Sequence, residues 1–495
     1  MSLVFLSIAL LPLFPFLLIV AVSRIYFRQK RVFGTFAFFH PYCDAGGGGE
    51  RVLWLAINAI QKKFGKHNGQ LQFVIYTGDI DRTPEQIIEK VRVRFGVSVP
   101  SGRLRFVFLR LRWLLEAHNY RRFTLLGQMF AGFALGVEAL CRHCPEWFVD
   151  TTGCPLTLPL FRWIASAKTM CYVHYPLITT EMVKMVDSRA VSYNNSSEIA
   201  SSAILTNAKL FYYRFISLLY RACGHSSQMT MANGSWTAAH IANLWLCQPK
   251  IVFPPCDIET LEKLENRSEK ALEGTALSSI ILSVGQIRPE KNHLEQLRIF
   301  ADVRRQLKER GSNLKLKLVI AGGCRNASDW DRVNFLKKYA LGNFQLKSDE
   351  DLDSDSDVAW RLNVPFTELT ELFTEAMIGL HTMWNEHFGI SVAEGMAAGI
   401  LMVAHNSGGP KLDIIADDGT SADENGIFAG DSGFLATTKE EYVEAILRIL
   451  DLDRLDRNRI RKAARQRVKR FSDREFERSF CEAIEPLLRG EGGER

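Results

Sequence analysis

Twice along the 495-residue chain, short β-rich runs alternate with longer stretches of helical period, and this repeated alternation limits the fold more than any other feature. In the first pass Thr35–Phe39 reads as a strand, Asp44–Gly49 as a turn and Glu50–Phe64 as an amphipathic helix. Strand-like runs follow at Leu71–Tyr76, Arg105–Leu109, Trp147–Asp150 and Thr169–Val173. The pattern restarts near Ser279, with strands expected at Ile280–Val284, Lys315–Ala321, Ala376–His381 and Ile400–His405, and helices at Leu294–Arg310 and Pro365–Glu375. Strands separated by helices pair in parallel, because a parallel connection has to cross the face of the sheet. The expectation is an α/β protein of two Rossmann-like, doubly wound domains facing a cleft, with ligands at the carboxyl ends of both sheets. Pro254-Pro255 is a stiff break that places these domains at 34–255 and 256–450 and leaves 451–495 as a C-terminal helical segment. The acidic, Ser-containing Asp349–Asp357 reads as a solvated insertion.

Composition agrees: 47% hydrophobic and 23% charged residues suffice for buried cores and exclude a disordered chain. Lys and Arg number 61 against 55 Asp and Glu, a surplus of 6 that is too slight to argue for nucleic acid. The ten cysteines are scattered and fit reduced thiols. Cys141 and Cys144 have the spacing of half a zinc knuckle, but no second pair completes four ligands. Asn-x-Ser sequons begin at Asn194, Asn195, Asn233, Asn266 and Asn326 and are acceptors only if their segments reach a lumen.

Met1–Ser23 carries no charged side chain and is long enough as a helix to cross a hydrocarbon core of ~30 Å. It lacks the basic start of a cleaved signal peptide, so residues 1–23 are expected to be a retained transmembrane anchor. Arg24, Arg28, Lys30 and Arg31 form a basic flank at 24–33, which by the positive-inside rule puts the bulk of the chain in the cytosol. Two further stretches mix cations with large apolar residues. Arg103–Phe123 suits either anionic headgroups or a buried strand with an amphipathic helix, and Lys209–Ala222 either dips into the interface or packs as a core helix.

Three motifs carry chemistry. In His40-Pro41-Tyr42-Cys43-Asp44-Ala45-Gly46-Gly47-Gly48-Gly49-Glu50-Arg51, four glycines between a strand and a helix let backbone approach a ligand, and the helix start offers N–H groups to phosphate. In Gly285-Gln286-Ile287-Arg288-Pro289-Glu290-Lys291-Asn292-His293, Arg288 and Lys291 lie at a strand end where a diphosphate would sit. In Asn385-Glu386-His387-Phe388-Gly389-Ile390-Ser391-Val392-Ala393-Glu394, two carboxylates flank a loop into a small-residue helix. Each could accept two hydrogen bonds from a sugar diol, while the Phe388 and Gly389 N–H groups could meet a sugar or phosphate.

In this order the motifs resemble those of the retaining GT-B glycosyltransferases, and the spacing of Glu386 and Glu394 is similar to that family's pair of glutamates seven residues apart. HPYCDAGGGGERVLW, RPEKNHLEQL and NEHFGISVAEGMAAG look more narrowly like the dolichol-pathway α-1,2-mannosyltransferases of the endoplasmic reticulum. The resemblance implies an acceptor domain followed by a GDP-mannose-binding domain. It also implies transfer of the fourth and fifth mannoses, with retention, from GDP-mannose to dolichol-diphosphate-GlcNAc2Man3. Glu394 would hold ribose hydroxyls and Glu386 mannose hydroxyls; Arg288 and Lys291 would neutralise the diphosphate, with Gly47 and Gly48 close to it. His174, in Tyr172-Val173-His174-Tyr175-Pro176, looks like the family histidine that contacts the transferred sugar. His40 and Tyr42 are candidates for the acceptor. Asp353-Ser354-Asp355 contains a DxD string but lies in the acidic insertion, and no cofactor or essential metal is expected. The expected partners are GDP-mannose, the dolichol-linked oligosaccharide, the endoplasmic reticulum membrane and other mannosyltransferases of that pathway. A different donor or lipid acceptor, or a non-catalytic nucleotide-sugar-binding subunit, remains open from the residues alone.

Overall fold

A computed structural model of the chain describes residues 13–65, 71–99, 101–189, 201–268, 279–352, 355–415 and 428–489. The chain divides into two compact units, one made of residues up to Asn233, Thr237–Val252 and Glu477 onward, the other of Gly234–Trp236 and Phe253–Phe476. The division after Val252 falls just ahead of the expected 255/256 boundary. The expected C-terminal segment 451–495 is itself split between the units. Its Phe471 is buried against Phe253 and Phe388 of the second unit. Beyond it, Glu477 and Glu485 pair with Lys62 and Lys63 of the first.

The first unit holds a seven-stranded parallel sheet in the order β3-β2-β1-β4-β5-β6-β7. Its strands are β1 (Val32–Phe39), β2 (Gln72–Thr77), β3 (Leu104–Phe108), β4 (Pro145–Asp150), β5 (Lys168–Val173), β6 (Met229–Ala232) and β7 (Lys250–Ile251). Phe36 pairs in register with both Phe73 and Trp147 and stacks on them, an aromatic ladder across three strands. The helix Gly48–Phe64 returns the chain from β1 to β2 and is buried nearly all round between Arg51 and Ile60.

The second unit repeats the plan in eight strands ordered β10-β11-β9-β8-β12-β13-β15-β14. These are β8 (Ser279–Val284), β9 (Leu316–Gly322), β10 (Ser348–Asp349), β11 (Val358–Leu362), β12 (Ala376–His381), β13 (Leu401–His405), β14 (Phe428–Gly430) and β15 (Gly433–Ala436). Every pair is parallel except the terminal β14 and β15. Ile280 and Leu282 enter one apolar cluster while Ile281 enters the other, and Val319 and Leu318 divide the same way. Both faces of this sheet are therefore covered, which is why its strands are continuous apolar runs.

In each sheet the strand order reverses beside the first strand, between β1 and β4 and between β8 and β12. Such switch points leave a crevice at the carboxyl ends of the strands. The three sequence motifs follow β1, β8 and β12, so each is delivered to a switch point.

Some expectations fall differently. Arg103–Phe123 contains β3 but no amphipathic α-helix: Leu111–Leu115 and Ala117–Asn119 are short 3-10 segments, and Glu138 accepts the N–H groups of Arg110 and Leu111 at the start of the first. Lys209–Ala222 lies in the helix Ala203–Gly224, which buries Leu210, Tyr213, Ile216 and Tyr220 and exposes Phe211 and Leu218. The acidic segment contains part of a strand pair, β10 with β11, and its Asp353 and Ser354 lie outside the described residues. So do the sequons at Asn194 and Asn195 and the first twelve residues of the expected anchor. From Leu13 a helix runs without interruption to Lys30, past the expected anchor end at Ser23. Leu17, Leu18, Ile19, Val22 and Ile25 are each more than half exposed on it. Among the described residues one helix is long and apolar enough to cross a membrane, Thr124–Arg142 and not the N-terminal one, and its Leu135, Ala139 and Leu140 are buried in the first core. Length and composition thus leave the N-terminal anchor unconfirmed.

Candidate active site

At the second unit's switch point the chain leaves β8 through Gly285, whose carbonyl oxygen would lie 1.7 Å from a Cβ on Gly322 at the end of β9. Two strand ends can approach this closely only with glycine at 322. A single 3-10 turn, Pro289–Lys291, then leads into the helix His293–Glu309. Arg288 is exposed, and its guanidinium has no ion-pair partner among the described residues. Lys291 is folded inward and pairs with Glu386, ninety-five positions later.

Glu386 is enclosed by polar partners. Its Oε2 accepts from Lys291 Nζ and lies 3.1 Å from His381 Nε2, while Oε1 accepts the His387 N–H at 3.2 Å. Burial alone would raise its pKa, but Lys291, His381 and His387 outweigh burial and hold the carboxyl well below the usual carboxylate range. It is an anion with a fixed orientation.

The loop carrying Glu386 is clamped from beneath. Asn385, at φ 50°, donates its N–H to Ser407 Oγ at 2.8 Å, and Gly409 donates to the Glu386 carbonyl at 2.7 Å. A Cβ at Gly408 would sit 2.2 Å from the Glu386 carbonyl oxygen, and one at Gly409 2.1 Å from that of Phe388. The Phe388 ring is 2% exposed and packed on Phe253 and Phe471, so only its backbone is available to a ligand. Gly389, at φ 110°, turns the chain into the helix Ile390–Ala397, whose first N–H groups have no intrahelical acceptor. Glu394 is half-buried on that helix.

The first unit builds its switch point from different parts. Gly47 caps the helix Gly48–Phe64, and its N–H is bonded by the Glu50 carboxylate one turn on. The other Glu50 oxygen lies 3.3 Å from His40 Nε2, and His40 Nδ1 lies 2.8 Å from Thr151 Oγ1 beyond β4. Burial would raise the Glu50 pKa, but its bonds with His40 and the backbone lower it. His174, following β5, rests against Gly49: a Cβ there would lie 3.6 Å from its Nε2. His174 thus meets the glycine run at Gly49, next in sequence to Gly47 and Gly48. His40 is not an available acceptor contact, since it is 2% exposed with both ring nitrogens engaged; it supports the loop from below. Tyr42 turns elsewhere, donating to Glu116 Oε1 at 3.0 Å beneath the Arg112 guanidinium, and burial with this bond pushes its phenol pKa up.

Sequence reasoning missed His381, which touches Glu386, and the glycine pair 408–409. The run Asn406-Ser407-Gly408-Gly409 directly after β13 is a signal that could have found the clamp. Among the described residues no group of three or more His, Cys, Asp or Glu could hold a metal ion.

Residues 33–245 match the family described as ALG11 mannosyltransferase N-terminus, and residues 266–467 match Glycosyl transferases group 1. The chain is 45% identical over 464 residues to the GDP-Man:Man(3)GlcNAc(2)-PP-Dol alpha-1,2-mannosyltransferase of Caenorhabditis elegans, covering 93% of each. It is 44% identical over 456 residues to the protein of the same name in Homo sapiens, covering 92% of this chain and 87% of that one. Among solved structures it resembles a sucrose-phosphate synthase from Thermosynechococcus elongatus, with TM-score 0.60, 15% identity and 92% and 99% coverage. A glycosyltransferase from Rickettsia africae matches with TM-score 0.56, 14% identity and 92% and 98% coverage. The fold is GT-B-like, and the chain belongs to the family of the GDP-Man:Man(3)GlcNAc(2)-PP-Dol alpha-1,2-mannosyltransferases.

Proposed function

We propose that this protein is a mannosyltransferase that moves mannose from GDP-mannose to a mannose 2-hydroxyl of dolichol-diphosphate-GlcNAc2Man3, adding the fourth and fifth mannoses with anomeric retention. The observation that carries the reading is the fixed Glu386 anion beside Lys291 at the second unit's switch point, eight positions before Glu394. There Glu386 binds mannose hydroxyls and Glu394 the ribose diol. Arg288, Lys291 and the first N–H groups of Ile390–Ala397 meet the charge that grows on the departing GDP. In the first unit Gly47 and Gly48 admit the diphosphate, and His174 contacts the sugar. Retention without a carboxylate placed as nucleophile favours a same-face reaction, in which the donor phosphate takes the proton of the acceptor hydroxyl. Two cations supply the positive charge, so no essential metal is proposed.

The apolar N-terminal run anchors the chain in the endoplasmic reticulum membrane, and the basic residues Arg24, Arg28, Lys30 and Arg31 hold the catalytic units on its cytosolic side. Other dolichol-pathway mannosyltransferases are proposed neighbours there. The test is to incubate the protein in lipid with GDP-mannose and dolichol-diphosphate-GlcNAc2Man3, with and without chelator, and weigh the oligosaccharide. A gain of one or two hexoses, sensitive to α-1,2-mannosidase, unaffected by chelator and absent in Glu394→Ala, is expected. Binding of GDP-mannose with no gain in mass means a different acceptor or a binding subunit, and a collapse in chelator means a metal.

A further inference from the structure

The end of β12 touches both members of the Lys291–Glu386 pair without belonging to either motif. His381, its last residue, is 5% exposed, and its Nε2 lies 3.1 Å from Glu386 Oε2. An ionised carboxylate only accepts, so Nε2 carries the proton and Nδ1, buried with no hydrogen-bond partner, is bare. The backbone oxygen of His381 is held at 2.9 Å by the buried Tyr442 hydroxyl, which fixes the base of the imidazole. The next residue, Thr382, donates at 2.9 Å to the Lys291 carbonyl and accepts from Gln296 at 3.0 Å. One dipeptide therefore sets the side chain of Glu386 and the backbone of Lys291.

A carboxylate that pairs only with a flexible lysine can follow it through several rotamers, whereas a second donor on a rigid strand leaves one. We propose that His381 is a positioning residue for sugar recognition: through Nε2–H it holds the Glu386 carboxylate in the orientation that meets the hydroxyls of the transferred hexose. This rests on the assignment of Glu386 to the sugar made above. GDP carries no hexose, so its affinity is independent of the orientation that His381 enforces.

The test compares the full chain in lipid with His381→Leu, which removes the donor at similar bulk, and His381→Gln, whose side-chain amide replaces Nε2–H. The readouts are mannosyl transfer against GDP-mannose concentration, and affinities for GDP and GDP-mannose. In His381→Leu, kcat/KM for GDP-mannose is expected to fall ~100-fold while GDP affinity stays within about threefold; His381→Gln should recover at least about tenfold of the loss. Full transfer in His381→Leu, equal failure of both variants, or a loss of GDP affinity in step with transfer each overturns the proposal. If the wild type binds GDP-mannose but transfers nothing, the functional reading fails. The proposal is then decided by whether His381→Leu loses affinity for GDP-mannose relative to GDP.

Discussion

The two switch points share a strand order but not a way of holding their loops. In the second unit the loop is fastened by its own glycines and by charge: Gly408 and Gly409 lie where a Cβ would strike the carbonyls of Glu386 and Phe388, and Lys291 neutralises the buried Glu386. In the first unit the fastening is a buried imidazole and a helix-capping carboxylate, and the glycine at position 49 meets nothing nearer than 3.6 Å. Gly408 and Gly409 are required by the chain. Gly49 is not, since a Cβ there would make only ordinary contact with His174.

The largest expected effect breaks the charged side of this comparison. Lys291→Ala removes the cation that pairs with Glu386 and is proposed to meet the diphosphate, leaving the buried carboxylate without its lysine, and kcat/KM should drop about 1,000-fold or more, about 4 kcal/mol of transition-state stabilisation. A drop below tenfold would show that Arg288 alone neutralises the leaving group. Next, Gly409→Ala must push backbone apart and should cost about 3 kcal/mol or more, read as a lower Tm in a thermal melt. Gly49→Ala should leave Tm unchanged and lower kcat/KM about 10- to 100-fold; an equal loss of Tm in both variants would erase the distinction.

Acid sharpens the comparison further. Burial lowers the His293 pKa to about 3 and the His405 pKa to about 4 in the second unit, and the His143 pKa to about 4 in the first. Each folded value lies below the unfolded ~6.5, so the unfolded chain binds the proton first. Stability is full above about pH 6.5 and falls as pH drops towards the folded values, by up to about 1.4 kcal/mol per pH unit per histidine. With two such groups against one, the second unit should loosen first between pH 6.5 and 4. Hydrogen exchange resolved along the sequence at pH 7 and pH 5 checks this, and His293→Gln should flatten the slope. The smallest effect belongs to the exposed pair Lys62–Glu477: Lys62→Ala should cost about 0.5 kcal/mol or less in urea unfolding.

What was legible in the sequence follows the same physics. The strands β1 to β5, β8, β9, β12 and β13 were readable because their runs are mostly apolar and, in all but β3, mostly buried. The strands β6, β7, β10, β11, β14 and β15 were not, since most are short and lie towards the sheet edges, where burial writes less pattern. Lys291 and Glu386 could each be found from a local motif despite their separation in the chain. His381 could not: in sequence it is only the last residue of an apolar strand, and its role exists because the loop after β12 folds back on it. His40 was misjudged for a related reason, as a histidine beside a glycine loop gives no sign whether it faces the ligand or lies beneath the backbone.

The return of the chain from Glu477 to the first unit has a consequence for synthesis. The unit begun first on the ribosome is completed last, after all of Phe253–Phe476 has emerged. At roughly 5–20 residues per second the early sheet waits on the order of ten seconds or more for the residues that finish it. During that interval Lys62, Lys63 and Lys168 lack the C-terminal partners Glu477, Glu485 and the Leu487 carbonyl that they later hold.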